Sequence, residues 1–204
     1  IISGYVQLMA RADDPGRRKT YADSILKQFE QLNQMTRELL MFARGDQKIL
    51  LRKVFVHKFM EEVRELLEPE LEGRDVSLDI ALDYRNEVKL DEVKMKRAIL
   101  NLARNAAEAM GGGGGHFSIR VWREARGEGA RDELVLALAD DGAGIPPEIR
   151  DRLFESFVTQ GKKNGTGLGL AIVKKIVEEH EGRIDFETEL GVGTTFYIHL
   201  PLEV

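Results

Sequence analysis

The stretch Gly165-Thr166-Gly167-Leu168-Gly169-Leu170 runs directly into Ala171-Ile172-Val173, and the pattern predicts a helix over about residues 169–181. Glycine lets the backbone approach a ligand with its N–H groups turned inward, and the start of a helix adds a partial positive charge. The stretch therefore predicts a phosphate-binding loop, with an ordinary loop before a helix as the alternative. The stretch is not a P-loop, because it lacks the G-x-x-x-x-G-K-[ST] pattern. It is not a Rossmann fingerprint either, because its spacing is G-x-G-x-G instead of G-x-G-x-x-G and no strand leads straight into it.

A second glycine cluster, Asp140-Asp141-Gly142-Ala143-Gly144, follows a strand predicted over residues 134–139. Asp140 therefore lies where the strand ends and the glycines turn the backbone away. A carboxylate held there can accept a hydrogen bond from an exocyclic amine such as that of adenine. Because D-x-G is also common in turns, the cluster by itself leaves both interpretations open.

Two asparagines, Asn101 and Asn105, are four residues apart on a helix predicted over residues 91–110. Asparagine is mildly unfavourable inside helices, so two of them on one face suggest a role. An asparagine carbonyl is a neutral oxygen ligand suited to Mg²⁺, which retains waters and bridges phosphate oxygens. Two solvent-facing amides are the alternative.

Around these motifs, hydrophobic periodicity predicts alternating strands and helices. The predicted strands are 53–56, 76–82, 88–90, 117–122, 134–139, 183–188 and 194–200, and the predicted helices are 57–68, 91–110 and 169–181. The helix over 57–68 is expected to stop near Pro69, and the five glycines at 111–115 are expected to form a flexible, hairpin-type loop. The order predicts an α+β sandwich with helices on one face of a mixed sheet.

The first fifty residues have a different pattern, which predicts an antiparallel helical hairpin. One apolar stripe is formed by Ile1, Tyr5, Leu8 and Ala12, a turn is predicted at 13–16, and a heptad seam follows at Ala22, Ile25, Phe29, Leu32, Thr36, Leu39 and Ala43. A single hairpin cannot cover both of its stripes, so we expect a homodimer with a four-helix bundle across its axis. Packing of the hairpin on its own C-terminal domain is the alternative.

Composition excludes several classes of protein. The chain has 204 residues, 32% of them charged, and no cysteine, which rules out disulfides and thiolate metal sites. A net charge of −5 argues against direct binding of nucleic acid. No apolar run is long enough to span a membrane, so we expect a cytoplasmic portion in which any membrane attachment depends on segments upstream of Ile1.

The motifs together resemble the sensor histidine kinases of two-component systems. The resemblance rests on Asn101-Leu-Ala-Arg-Asn105 (N box), Asp140-Asp-Gly-Ala-Gly144 (G1 box), Leu153-Phe-Glu-Ser-Phe157 (F box), Gly165-Thr-Gly-Leu-Gly-Leu170 (G2 box) and Gly191-Val-Gly-Thr194 (third glycine motif), in that order. It covers about residues 50–204, and the hairpin resembles the dimerisation and histidine-phosphotransfer domain. It implies two domains, residues 1–48 for a partial hairpin and 49–204 for a catalytic ATP-binding domain of the Bergerat type.

The resemblance also implies roles for individual residues in holding ATP and Mg²⁺. Asp140 would bind the adenine amino group, supported through water by Thr194 or Thr195, with Ile145 and Ala109 near the base and Gly142 and Gly144 shaping the wall. Asn105 would ligate Mg²⁺ and Asn101 would lie near the phosphates, around which Gly165, Thr166, Gly167, Leu168 and Gly169 would wrap. Residues 155–166 would form a mobile lid, whose cation would be Lys162 or Lys163.

The implied reaction transfers the γ-phosphoryl group of ATP to a histidine and then relays it to an aspartate of a response regulator receiver domain. The four histidines, His57, His116, His180 and His199, all follow the hairpin, and a structural role is expected for each. Ile1-Ile2-Ser3-Gly4-Tyr5 resembles the residues after the family's H box, so we expect the phosphoacceptor upstream of Ile1. The alternatives are a dimeric ATP-binding pseudokinase scaffold or another Bergerat-type ATPase, such as a DNA-repair ATPase, a chaperone or an anti-sigma serine kinase.

Overall fold

The computed structural model describes residues 2–43, 48–127, 131–158 and 167–202; in the second helix it describes side chains only as far as residue 26 and at 28, 29, 32 and 36. The described residues form two compact units, one within 2–43 and one within 48–202. Every helix in these ranges is too short or too polar to cross a bilayer.

The first unit is the predicted hairpin of two helices, α1 (Ile2–Arg11) and α2 (Pro15–Ala43). Pro15 occupies the first turn of α2, where its missing N–H costs nothing, and Asp14 Oδ2 accepts the Arg17 N–H at 2.8 Å. The Tyr5 and Tyr21 rings pack with centroids 6.2 Å apart. The turn between the helices comprises residues 12–14 and is one residue shorter than the predicted turn at 13–16.

In the stripe predicted on α1, Leu8 is 49% exposed in the single chain, where the predicted second copy would cover it. Ile2, Tyr5, Met9 and Ala12 are the half-buried positions of this segment. The spacing of 3, 4 and 3 defines a face rotated from the predicted one, because each single-residue shift turns a helix by about 100°.

The described residues of the second unit form eleven elements. They are β1 (Arg52–Phe55), α3 (Val56–Glu72), β2 (Val76–Leu82), β3 (Glu87–Leu90), α4 (Glu92–Ala109), β4 (Gly115–Glu124), β5 (Glu133–Asp140), α5 (Pro147–Arg150), α6 (Gly169–Glu179), β6 (Arg183–Glu189) and β7 (Gly193–Pro201). Every predicted strand and helix of this unit is present; the strand 76–82 coincides with β2, and each of the others has one or both ends shifted by a few residues.

The main sheet has five strands in the order β2-β4-β5-β7-β6. β2 and β4 are parallel and all other neighbours are antiparallel, so the sheet is mixed as predicted. β1 and β3 form a separate antiparallel pair. In the register of β5 on β7, Asp140 lies opposite Thr194, which places both residues at the same end of the sheet.

Helices α3, α4 and α6 cover one face of the sheet. Alternate strand residues such as Ile119, Leu136 and Ile198 are buried against the helices, as are Met95 of α4 and Val173 of α6. The α+β sandwich predicted from the sequence is therefore confirmed.

The predicted stop of α3 near Pro69 is wrong, because the helix continues to Glu72. Leu67 and Leu71, on either side of the proline, are fully buried. Burial of this apolar face, worth about 1.5–3 kcal/mol per leucine, compensates for the one helical hydrogen bond that proline cannot donate.

The glycine run at 111–115 connects α4 to β4 and is not a β-hairpin turn, since β4 pairs in parallel with β2. Gly111, Gly112 and Gly114 have positive φ, which explains the residue type, and Gly115 already belongs to β4.

Candidate functional site

Asp140 ends β5 with a carboxylate held by a backbone donor. Its Oδ1 accepts the Gly142 N–H at 2.9 Å, and Thr194 lies opposite Asp140 on β7. Burial raises the pKa of Asp140 above its usual range, and the charge of the nearby Asp141 raises it further. The backbone N–H groups of Gly142 and Thr194 act in the opposite direction and lower this pKa. The carboxylate is fixed in position with lone pairs left for another donor.

Gly142 and Gly144 are required by close backbone contacts. A Cβ at position 142 would lie 2.8 Å from the Ala109 Cβ, and one at 144 would lie 2.3 Å from the Glu189 carbonyl oxygen. The Ala143 N–H also donates to the Ala109 carbonyl at 3.2 Å. The turn after β5 is therefore packed between the end of α4 and the β6–β7 turn.

Helix α4 carries the two asparagines of the N box, and both are half-buried. Asp91 caps the helix by accepting the Lys94 N–H at 3.1 Å. A Cβ built on Gly169, the first residue of α6, would lie 4.0 Å from Asn105 Nδ2. The Asn105 amide therefore lies next to the start of α6. The sequence predicted only that Asn105 and the glycines before α6 belong to one site.

The start of α6 is tightly constrained. Leu168 is 1% exposed and its carbonyl accepts the Ile172 N–H at 2.9 Å. Gly167 has φ +67° and a Cβ there would lie 2.6 Å from the Phe157 carbonyl carbon. The Phe157 N–H donates to the Gly167 carbonyl at 2.9 Å, so the F box and the G2 box are joined where the described chain stops at 158 and resumes at 167.

The two threonines of the third glycine motif have different positions. Thr194 is 5% exposed and lies on the helix side of the sheet beside Asp140. Thr195 pairs with Ala139 and, because side chains alternate along a strand, lies on the opposite face. Of the two threonines left open by the sequence, the structure places only Thr194 with Asp140.

Of the remaining predicted site residues, the structure describes Ile145. Ile145 is half-buried beside Gly144, and its carbonyl accepts Arg150 Nε at 2.9 Å. The predicted residues Lys162, Lys163, Gly165 and Thr166, with most of the predicted lid, lie outside the described residues.

Sequence reasoning missed Thr188, whose hydroxyl accepts the Ile145 N–H at 2.9 Å and lies 3.0 Å from Thr194 Oγ1. It also assigned no role to Asp141, whose Oδ1 accepts the His116 N–H at 2.9 Å and joins the turn to the start of β4. No local pattern marks either residue, since both act on distant segments of the chain.

All four histidines belong to the second unit, as the sequence order requires. His180 is buried, and His199, which is half-buried, contacts Arg183 and Glu133. His57 Nδ1 lies 3.1 Å from the Arg85 carbonyl, and His116 Nδ1 lies 3.1 Å from Ser77 Oγ. Burial, or a contact with another residue of the second unit, suits the structural role expected for each histidine.

A mixed sheet covered on one face by three long helices, with glycine-rich turns and the acidic end of a central strand at one end of the sheet, defines the Bergerat-type sandwich of ATP-binding domains. A family model described as "Histidine kinase-, DNA gyrase B-, and HSP90-like ATPase" matches residues 90–204. The chain belongs to this family.

The curated relatives are histidine kinases. The chain is 33% identical over 202 residues to the alginate biosynthesis sensor protein KinB of Pseudomonas aeruginosa, covering 96% of this chain and 33% of that protein. It is 32% identical over 209 residues to the sensory histidine kinase/phosphatase NtrB of Vibrio alginolyticus, covering 98% of this chain and 57% of that protein. The chain thus spans between about a third and three fifths of these relatives.

Solved structures agree with this assignment. Histidine kinase ThkA in complex with the response regulator protein TrrA matches 99% of this chain and 57% of its own, with a TM-score of 0.78 and 25% identity. Full-length ShkA in complex with AMPPNP matches all of this chain and 42% of its own, with a TM-score of 0.71 and 25% identity. The resemblance to sensor histidine kinases and the Bergerat-type fold expected from the sequence are confirmed.

Proposed function

We propose that this chain is the catalytic core of a two-component sensor histidine kinase that binds Mg-ATP through the residues around Asp140. The observation that carries the proposal is the carboxylate of Asp140, held at the end of β5 by the Gly142 N–H beside Thr194. Its free lone pairs can accept from the exocyclic amine of adenine, while Ile145 and Ala109 supply apolar contact with the base and Gly144 completes the wall.

The phosphates would lie between α4 and α6. The start of α6 at Gly169 presents a helix N-terminus, and the Asn105 amide lies beside it. An amide oxygen beside a phosphate site suits Mg²⁺, so we assign Asn105 as the protein ligand and place Asn101 nearby. Bound Mg²⁺ would supply charge neutralisation for phosphoryl transfer.

The segment before Gly167 would complete the phosphate site. Gly165 and Thr166 would continue the backbone around the phosphates, and Lys162 or Lys163 would supply a cation from the lid. The bond between the F and G2 boxes, from the Phe157 N–H to the Gly167 carbonyl, would hold the two ends of that lid together.

The reaction we propose is transfer of the γ-phosphoryl group to a histidine upstream of Ile1, followed by relay to a response regulator aspartate. Histidine kinase relatives and the ThkA complex with a response regulator protein support it. We further propose a hairpin domain at residues 1–48 and a catalytic domain at 49–204, in a cytoplasmic portion of the protein. We propose no direct binding of nucleic acid.

The hairpin would form a homodimer. Val6, Leu8, Leu26, Phe29 and Leu32 are between 44% and 61% exposed in the single chain. A second copy packed against these side chains would give the four-helix bundle and remove the apolar surface from water.

Calorimetric titration of the chain with a non-hydrolysable ATP analogue and Mg²⁺ tests the proposed site. We expect binding by the unmodified chain and its loss in Asp140→Asn, because the amide adds a donor where an acceptor is required. Asp79→Asn removes the same charge from an exposed residue on the outer sheet face and should bind normally. Equal binding by Asp140→Asn and the unmodified chain would exclude the site.

A further inference from the structure

The hydroxyl group of Thr188, on β6, connects three parts of the proposed adenine site. Its oxygen lies 2.9 Å from the Ile145 nitrogen, 3.1 Å from the Gly193 carbonyl oxygen and 3.0 Å from Thr194 Oγ1. The Ile145 nitrogen belongs to the turn after β5, and Gly193 and Thr194 begin β7. The hydroxyl group therefore links the two segments that flank Asp140.

The directions of these hydrogen bonds follow from what each group can do. A hydroxyl has one proton and two lone pairs. The Gly193 carbonyl can only accept, so it takes the Thr188 proton; the Ile145 N–H can only donate, so it uses one lone pair. The remaining Thr188 lone pair can only accept, and the Thr194 hydroxyl must therefore be the donor.

This arrangement fixes the polarity of Thr194 beside Asp140. Since the Thr194 proton points to Thr188, its oxygen presents only lone pairs to the neighbouring space. Thr194 and Asp140 are register partners on the same face of the sheet, so two acceptors are adjacent there. Their combination favours a ligand group, or a bridging water, that donates hydrogen bonds.

We propose that Thr188 determines nucleotide specificity by orienting the Thr194 hydroxyl, so that the site selects 6-amino purines over 6-oxo purines. The proposal rests on the proposed binding of adenine nucleotide at Asp140. A 6-oxo group presents an acceptor to the two protein acceptors, which leaves lone pairs facing each other without a proton between them. Thr188 acts through Thr194 and is a positioning residue.

The test compares ATP with inosine triphosphate, which has a 6-oxo group, by calorimetry on the full 204-residue chain with Mg²⁺. In Thr188→Val the Thr194 proton loses its acceptor and can turn toward the base. We expect the preference for ATP over inosine triphosphate to fall by about threefold to tenfold, the effect of one hydrogen bond. Thr188→Ser retains the hydroxyl and should keep the preference of the unmodified chain.

The outcomes separate the two proposals. An unchanged ATP preference in folded Thr188→Val, or a Thr188→Ser variant that behaves like the valine variant, would overturn the role of Thr188. Should the valine variant not fold, Thr188→Ala provides the same comparison. A failure of the unmodified chain to bind ATP would instead contradict the proposed function. Loss of stability alone would weaken the binding of both nucleotides equally and leave the ratio of their affinities unchanged. That result would also count against the proposal.

Discussion

His180 Nε2 accepts the backbone N–H of Asp91 at 2.9 Å, joining the end of α6 to the start of α4. Both residues are buried, with exposed fractions of 4% and 8%. His180 Nδ1 contacts the Ile176 carbonyl at 2.7 Å, so this nitrogen carries the proton and the imidazole is neutral. The Asp91 carboxylate also accepts the Leu50 N–H at 3.0 Å. The segment before β1 and the helices that carry the N and G2 boxes therefore meet at one buried cluster.

Replacement of His180 by Phe should destabilise the second unit by about 1–3 kcal/mol, because the buried Asp91 N–H would lose its acceptor. Urea unfolding followed by circular dichroism measures the change. His180→Gln offers an amide oxygen as an alternative acceptor and should be less destabilised than the phenylalanine variant. Equal stability of the phenylalanine variant and the unmodified chain would show that the contact contributes little.

Acidification should weaken the fold through the same histidine. Burial lowers the pKa of His180 below its usual value of about 6.5, although the Ile176 carbonyl and Asp91 oppose the shift. A neutral histidine in the folded state and a protonated one in the unfolded state give stability that is complete above about pH 6.5 and declines as the pH falls toward the lowered pKa.

The measurement for this pH effect is the unfolding free energy of the unmodified chain and of His180→Gln between pH 8 and pH 5. The difference between them isolates His180 from His199, whose pKa burial also lowers. A difference that stays constant across the range would contradict the prediction.

Replacement of Asn105 by Asp should abolish binding of Mg-ATP. The new carboxylate would place a negative charge beside the start of α6, where the triphosphate is proposed to lie. Asn86→Asp adds the same charge at an exposed position before β3 and should bind normally. Calorimetry with an ATP analogue distinguishes these results, and undiminished binding by Asn105→Asp would remove Asn105 from the site.

Replacement of Phe29 by Glu should convert the proposed dimer to a monomer. Phe29 is 51% exposed in the single chain, and a carboxylate there cannot be buried in the bundle without a large desolvation cost. Lys19→Glu changes the charge at an exposed position on α2 and should leave the dimer intact. Sedimentation equilibrium at micromolar concentration measures both, and a monomeric unmodified chain would contradict the bundle.

The sequence was sufficient to predict the strands and the three longer helices of the second unit, but not the short helix α5, since the predicted elements depend on local periodicity. The alternation of Val76 to Leu82 and the spacing of apolar residues along α4 indicate which side is buried before any partner is known. It failed where packing outweighed local preference, as at Pro69 within α3.

The candidate site was predictable to the extent that its residues occur in ordered motifs. Asp140, Gly142 and Asn105 were found this way, and the structure brings Asp140 and Gly142 together with Thr194. Thr195 was an equal candidate, because adjacent residues in a strand share a motif while facing opposite sides of a sheet.

By itself, the sequence determined the order of elements, the α+β class and the glycine turns, because each of these depends on residues close together in the chain. Only the tertiary structure decided that Thr188 orients Thr194 and that His180 supports Asp91. Those contacts depend on strand register and on the packing of α6 against α4. Hydrogen bonds require correct distances and directions between particular atoms, and residues such as Asp91 and His180 reach that geometry only when the intervening chain has folded.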